Sequence, residues 1–134
     1  MDVTWETVAG LFLVAHAVAH ASVTVPAMGT EGKQLGWTGR SWLLTGVLGE
    51  APARRFGVAL GVIAALGFVG AGLGLLGVDM LAEWWRTLAV SSALISLVFS
   101  ALVFPDLMPR PRMYAAWPVI NLGVVAALVW VWPA

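Results

Sequence analysis

Cysteine is absent from the chain, and with it go disulfides, thiolate metal sites, iron–sulfur ligation and thiol nucleophiles. Charge is scarce as well. Only 10% of the 134 residues are charged, too few to coat a water-soluble particle, since soluble domains carry roughly 25%. Seven basic and seven acidic residues cancel, and no basic block or charged tail suggests nucleic acid as a partner. Histidine occurs only at positions 16 and 20. What the chain has in abundance is apolar: 60% hydrophobic residues and a mean hydropathy of +0.91 predict an integral membrane protein. The length suits a single transmembrane domain over residues 1–134.

A helix needs about 20 mainly apolar residues to cross a bilayer. Four segments qualify: Glu6–Ala27, Phe56–Val78, Trp84–Phe104 and Met113–Trp132. The expected fold is therefore all-α, an integral membrane four-helix bundle. Asp2 and Glu6 stand where a signal peptide needs basic residues, so the first span is expected to stay in the mature chain. The connection after it contains SWLLTGVLG, which is apolar but too short to span. It is expected to form a short half-helix in the interface, with Trp42 at headgroup level. Pro52 suits the first turn of the following helix, and DLMPRPR separates the last two spans.

Basic residues set the expected orientation. Lys33, Arg40, Arg54 and Arg55 lie between spans one and two, Arg110 and Arg112 between spans three and four, and only Arg86 lies on the other side. That asymmetry places both termini outside the cytoplasm. Trp5, Trp84, Trp85, Trp130 and Trp132 gather at the outer level, where amphipathic rings are favoured. In the second span, Gly57–Gly61 and Gly70–Gly74 have the small-xxx-small spacing of close helix contacts. Such a face serves either a homodimer seam or packing within one chain. No internal repeat supports a transporter architecture.

His16 and His20 carry the functional signal. They sit four apart in LFLVAHAVAHASVTVPA, which brings both rings onto one helix face near mid-membrane. Ionisable groups there are costly and mark a bundle interior, a partner or a pathway. Ser92, Ser96 and Ser100 form a stripe on the third span, and Asn121 is the one strongly polar interior residue of the fourth. Counting about 1.5 Å per residue puts His20, Ser96 and Asn121 at nearly one depth. His16, His20, Ser96 and Asn121 are therefore the candidate ligand-binding residues. Each has a plainer reading: serines bond back to their own helix, and Asn121 can serve only packing.

Three chemistries fit a histidine pair. His16 and His20 could chelate a transition metal, although a stable site wants three or four ligands. One of them could be the axial ligand of a haem; both cannot grip opposite faces of one haem from a single helix. They could also handle protons, since histidine titrates near neutrality. No catalytic triad, carboxylate pair or phosphate loop points to an enzyme. The segments AHAVAHA, WWRTLAVSSALISLVFSALVF and PVINLGVVAAL resemble a loose set of small uncharacterised bacterial four-helix membrane proteins with a His-x3-His pair in the first helix. The resemblance implies a multi-pass protein of the bacterial inner membrane, maps His16, His20 and Asn121 onto shared features, and brings no activity. The expected function is a histidine-centred intramembrane ligand, metal or haem, or proton-handling site. The alternative is an accessory subunit without chemistry of its own. Lipid is the expected surrounding, with a homo-oligomer or a membrane-complex partner.

Overall fold

The computed structural model describes residues 4–25, 36–108 and 111–131. It is all-α, about 85% helical. Helix α1 is Trp5–Thr24, α2 Leu44–Leu48, α3 Glu50–Leu75, α4 Asp79–Ala82, α5 Trp85–Val103 and α6 Ala116–Ala126, the last continued by a π turn over Ala127–Val131. Three helices, in α1, α3 and α5, are long and apolar enough to cross a membrane, and the fourth, Ala116–Trp130, is shorter. The second expected span begins earlier than hydropathy indicated, at Glu50, because the polar turn APARR is already helical. Pro52 is its third residue, where no backbone N–H is needed. Residues 26, 27 and 132 of the expected spans, with Lys33 and Arg110, lie outside the described residues.

Local signals explain the helix ends. The Thr4 hydroxyl accepts from the Thr7 N–H at 3.3 Å and caps α1. At the end of α3, Gly77 takes a φ of +92°. Its N–H bonds Gly74 O at 3.2 Å and that of Val78 bonds Leu73 O at 3.0 Å. This Schellman arrangement needs a left-handed residue, which glycine supplies without penalty.

The long connection is stapled to the far end of α5. A two-residue strand β1, Gly36–Trp37, pairs antiparallel with β2, Leu107–Met108. The last carbonyls of a helix have no partner within it. Here Ser41 Oγ donates to Leu102 O and Trp42 Nε1 to Ala101 O, both at 2.8 Å. The expected half-helix is present as α2, with none of its residues buried and Trp42 62% exposed beside it. Trp37 is fully buried against Phe99 and gives its indole N–H to Arg40 O. At the opposite end, Arg86 bonds Leu128 O, a carbonyl in the π turn.

The glycines of α3 let its neighbours approach. A Cβ on Gly72 would lie 2.7 Å from Gly10 O of α1, and one on Gly74 would lie 2.6 Å from Leu81 O. Gly57 faces Trp37 and Gly61 faces Thr24. The glycine face is thus engaged by this chain's own α1, α4 and β1. Helix α1 packs along α3, α3 along α5, and α5 along α6.

Candidate functional site

α1 buries Gly10, Leu13, His16, Ala17, His20, Val23 and Thr24, so one stripe carries both imidazoles inward. Two i+4 steps along α5 join Ser92, Ser96 and Ser100, and all three are buried. On α6 only Trp117 and Asn121, again four apart, are buried. His20, Ser96 and Asn121 have no exposed surface, and His16 keeps 7%. The structure brings all four candidate residues into one hydrogen-bonded cluster.

The direction of each bond can be assigned. Asn121 Nδ2 lies 3.1 Å from the Trp117 carbonyl, which can only accept, so the amide nitrogen must face it. The same nitrogen donates to Ser96 Oγ at 2.7 Å. Asn121 Oδ1 then faces His16 Nε2 at 3.0 Å and accepts its proton. Trp117 Nε1 lies 2.7 Å from His20 Nε2, and an indole N–H can only donate. His20 Nε2 is therefore an acceptor, and the Ser96 hydroxyl, 2.6 Å away, donates to it as well. His16 carries its proton on Nε2 and His20 on Nδ1. That last atom is buried without a partner among the described residues, as is Ser100 Oγ.

Aromatic rings close the space around the pair. The two imidazoles meet edge to face at 5.3 Å. Phe68 stands 4.8 Å from His16 and 5.6 Å from His20, and Trp117 lies 4.3 Å from His20 at 74°. Trp117 and Phe68 are the site residues that the sequence reading missed. A signal for Trp117 existed. It precedes Asn121 by one helical turn, and with Trp37 it is one of the two tryptophans that the interfacial belts left unplaced. Both prove buried.

For a metal, both Nε2 atoms are already taken by Asn121, Ser96 and Trp117. No group of three or more His, Cys, Asp or Glu converges among the described residues. Chelation by the pair would need His20 to leave these bonds, because its only lone pair already accepts two donors, whereas His16 keeps a lone pair on Nδ1. Proton transfer along the chain from His16 to His20 meets an amide at Asn121, which donates and accepts but passes no proton without tautomerising.

The cluster lies beside a seam. α1 and α6 are bridged at the level of the histidines but leave hollows above and below. The hollow toward the start of α1 (the outer hollow) holds about 390 Å³ and is lined by Phe12, Leu13, Ile120, Gly123 and Val124 of α1 and α6, with Leu75 of α3 and Trp85 of α5 also in its wall. The inner one holds about 200 Å³ and is lined by His16, Ala19, Ser22, Tyr114, Trp117 and Ile120. Ile120 belongs to both, and His16 is the one member of the pair that reaches the surface here. No family model, curated protein or solved structure matches the chain.

Proposed function

We propose that the chain is a multi-pass membrane protein with four spans, and that its histidine-centred cluster binds a small ligand within the bilayer. The observation that carries this reading is the state of His20. Its Nε2 accepts from two donors while its Nδ1–H, fully buried, finds no acceptor among the described residues. A buried donor left unsatisfied costs about 1–3 kcal/mol. His20 bears that cost next to a companion ring that opens on a hollow. An unsatisfied buried polar group calls for an explanation beyond packing, a functional role or a bound water among them.

Both termini are proposed to lie outside the cytoplasm. The basic connections support this orientation: β1 pairs with β2, and Arg54 lies against Gly39, so those connections share one end, with Arg86 at the other. A reporter fused at the C-terminus is expected to be active on the outer side; a cytoplasmic signal rejects the orientation.

The site is tested on protein purified from its own membranes into nanodiscs, by mass spectrometry of an organic extract together with metal analysis and an absorption spectrum. A molecule bound near one per chain in the wild type, and lost in His16→Leu and His20→Leu variants that remain folded, supports the proposal. A wild type that carries nothing, or equal content in the variants, overturns it and leaves an accessory subunit whose polar layer fixes packing.

A further inference from the structure

We infer that the ligand is a neutral membrane-soluble molecule with a hydroxyl head and an apolar body, which reaches His16 sideways through the seam between α1 and α6. The inference rests on the histidine-centred binding proposed above. Its starting point is Gly123. Added at that position, a Cβ would meet nothing within 4 Å, although every other glycine in the interior of the long helices faces a neighbour. Gly123 therefore does not serve close packing. It widens the outer hollow that it lines.

The shape and chemistry of the seam specify the occupant. The outer hollow is apolar on all sides, and its volume of about 390 Å³ lies within the roughly 300–1,000 Å³ of small-molecule sites. Past Ile120 the inner hollow begins, still mainly apolar but with polar groups at His16, Ser22 and Tyr114. With the His16 proton committed to Asn121 Oδ1, the ring offers Nδ1 as a lone pair. Ser22 spends its own proton on Ala19 O at 2.7 Å and keeps acceptor capacity. His16 Nδ1 and Ser22 Oγ therefore ask for a donor. Among the described residues no carboxylate or cation lines either hollow, which favours a neutral head over an ammonium or an acid. A hydroxyl on an apolar tail or ring satisfies both halves of the groove.

The probe is a long-chain primary alcohol carrying a diazirine in its tail, photolysed in phosphatidylcholine nanodiscs holding the full chain; its methyl ether is the matched control. Labelling is expected on residues of α1 and α6 around Phe12, Ile120 and Val124. Gly123→Phe, which fills the hollow from an unobstructed position, should reduce it at least fivefold, and His16→Leu should do the same. Gly46→Phe, at another unobstructed glycine, in α2, should leave it unchanged. Equal labelling of wild type and Gly123→Phe overturns the route, and equal labelling by alcohol and ether overturns the hydroxyl head. Failure of the probe to label, with a dimer that Gly123→Phe dissociates, assigns the seam to a second copy and also overturns the inference. Should a co-purified molecule depend on both histidines yet persist in Gly123→Phe, the site stands and the lateral route falls.

Discussion

Two seams of α1 differ in kind. Against α3, backbone meets backbone: Gly72 leaves no room beyond Gly10 O and the Val14 side chain, and Gly61 makes way for Thr24. Against α6, the helices stand apart and are joined at one level, by His16 to Asn121 and by Trp117 to His20. In a bilayer, apolar side chains gain little by leaving lipid for one another. Helices then hold together either by close small-residue contact or by polar bonds. The first device makes a seam that admits nothing. The second leaves hollows, and here it places them beside an imidazole.

The sharpest way to break the contrast is to put the same bulky side chain into each seam. Gly72→Leu drives a Cβ to 2.7 Å from a backbone oxygen that cannot rotate away. It is expected to cost about 3 kcal/mol, the upper part of the overpacking range, and to lower the unfolding midpoint in detergent sharply. Gly123→Leu should change that midpoint little. Equal losses would mean that the α1–α6 seam is closed.

Next in size is Asn121→Leu. It removes the acceptor of His16 Nε2–H and the donor to Ser96 Oγ in one step. Leaving those buried groups unpaired should cost about 1–3 kcal/mol. Val119→Leu, on the exposed face of the same helix, should be nearly silent. Comparable midpoints for the two variants would show that the polar bridge does not hold α6.

Much of this was legible in the residues themselves. Hydropathy located four apolar helices, and the 3.6-residue period put His16, His20, Ser96 and Asn121 on faces that the fold does bury together. The staples of the first connection were not legible, because Ser41 and Trp42 find carbonyls about sixty residues away, and nothing local encodes that. Trp117 was overlooked because tryptophan in an apolar span reads first as an interfacial anchor. The seam was invisible for a different reason. Periodicity tells which face of a helix is apolar and says nothing about the gap left between two such faces; Gly123 and Gly72 look alike in sequence.

Trp117→Phe sharpens the polar side of the comparison. It keeps a ring against His20 and deletes only the indole N–H, so the net loss should be about 1 kcal/mol. Ser96 remains as donor to His20 Nε2 at 2.6 Å. Nitrogen-15 spectra of the imidazoles should therefore show an unprotonated Nε2 on His20 and a protonated Nε2 on His16, in wild type and variant alike. A protonated His20 Nε2 in the wild type would reverse the assigned bonds.

The smallest expected effect has the most telling sign. Glycine inside a helix costs roughly 0.5–1 kcal/mol relative to alanine, because it gives up more backbone freedom on folding. At Gly123 an added methyl meets nothing, so Gly123→Ala should stabilise the fold by about 0.5 kcal/mol and raise the unfolding midpoint slightly. At Gly72 the same methyl gains the same propensity but has to displace Gly10 O or the Val14 side chain, each 2.7 Å away. The repulsion exceeds the gain, and Gly72→Ala should destabilise. Opposite signs from one chemical change would establish that the two seams use glycine for opposite ends. A destabilising Gly123→Ala would mean that the hollow is already filled tightly to the backbone, and the open seam would have to be abandoned.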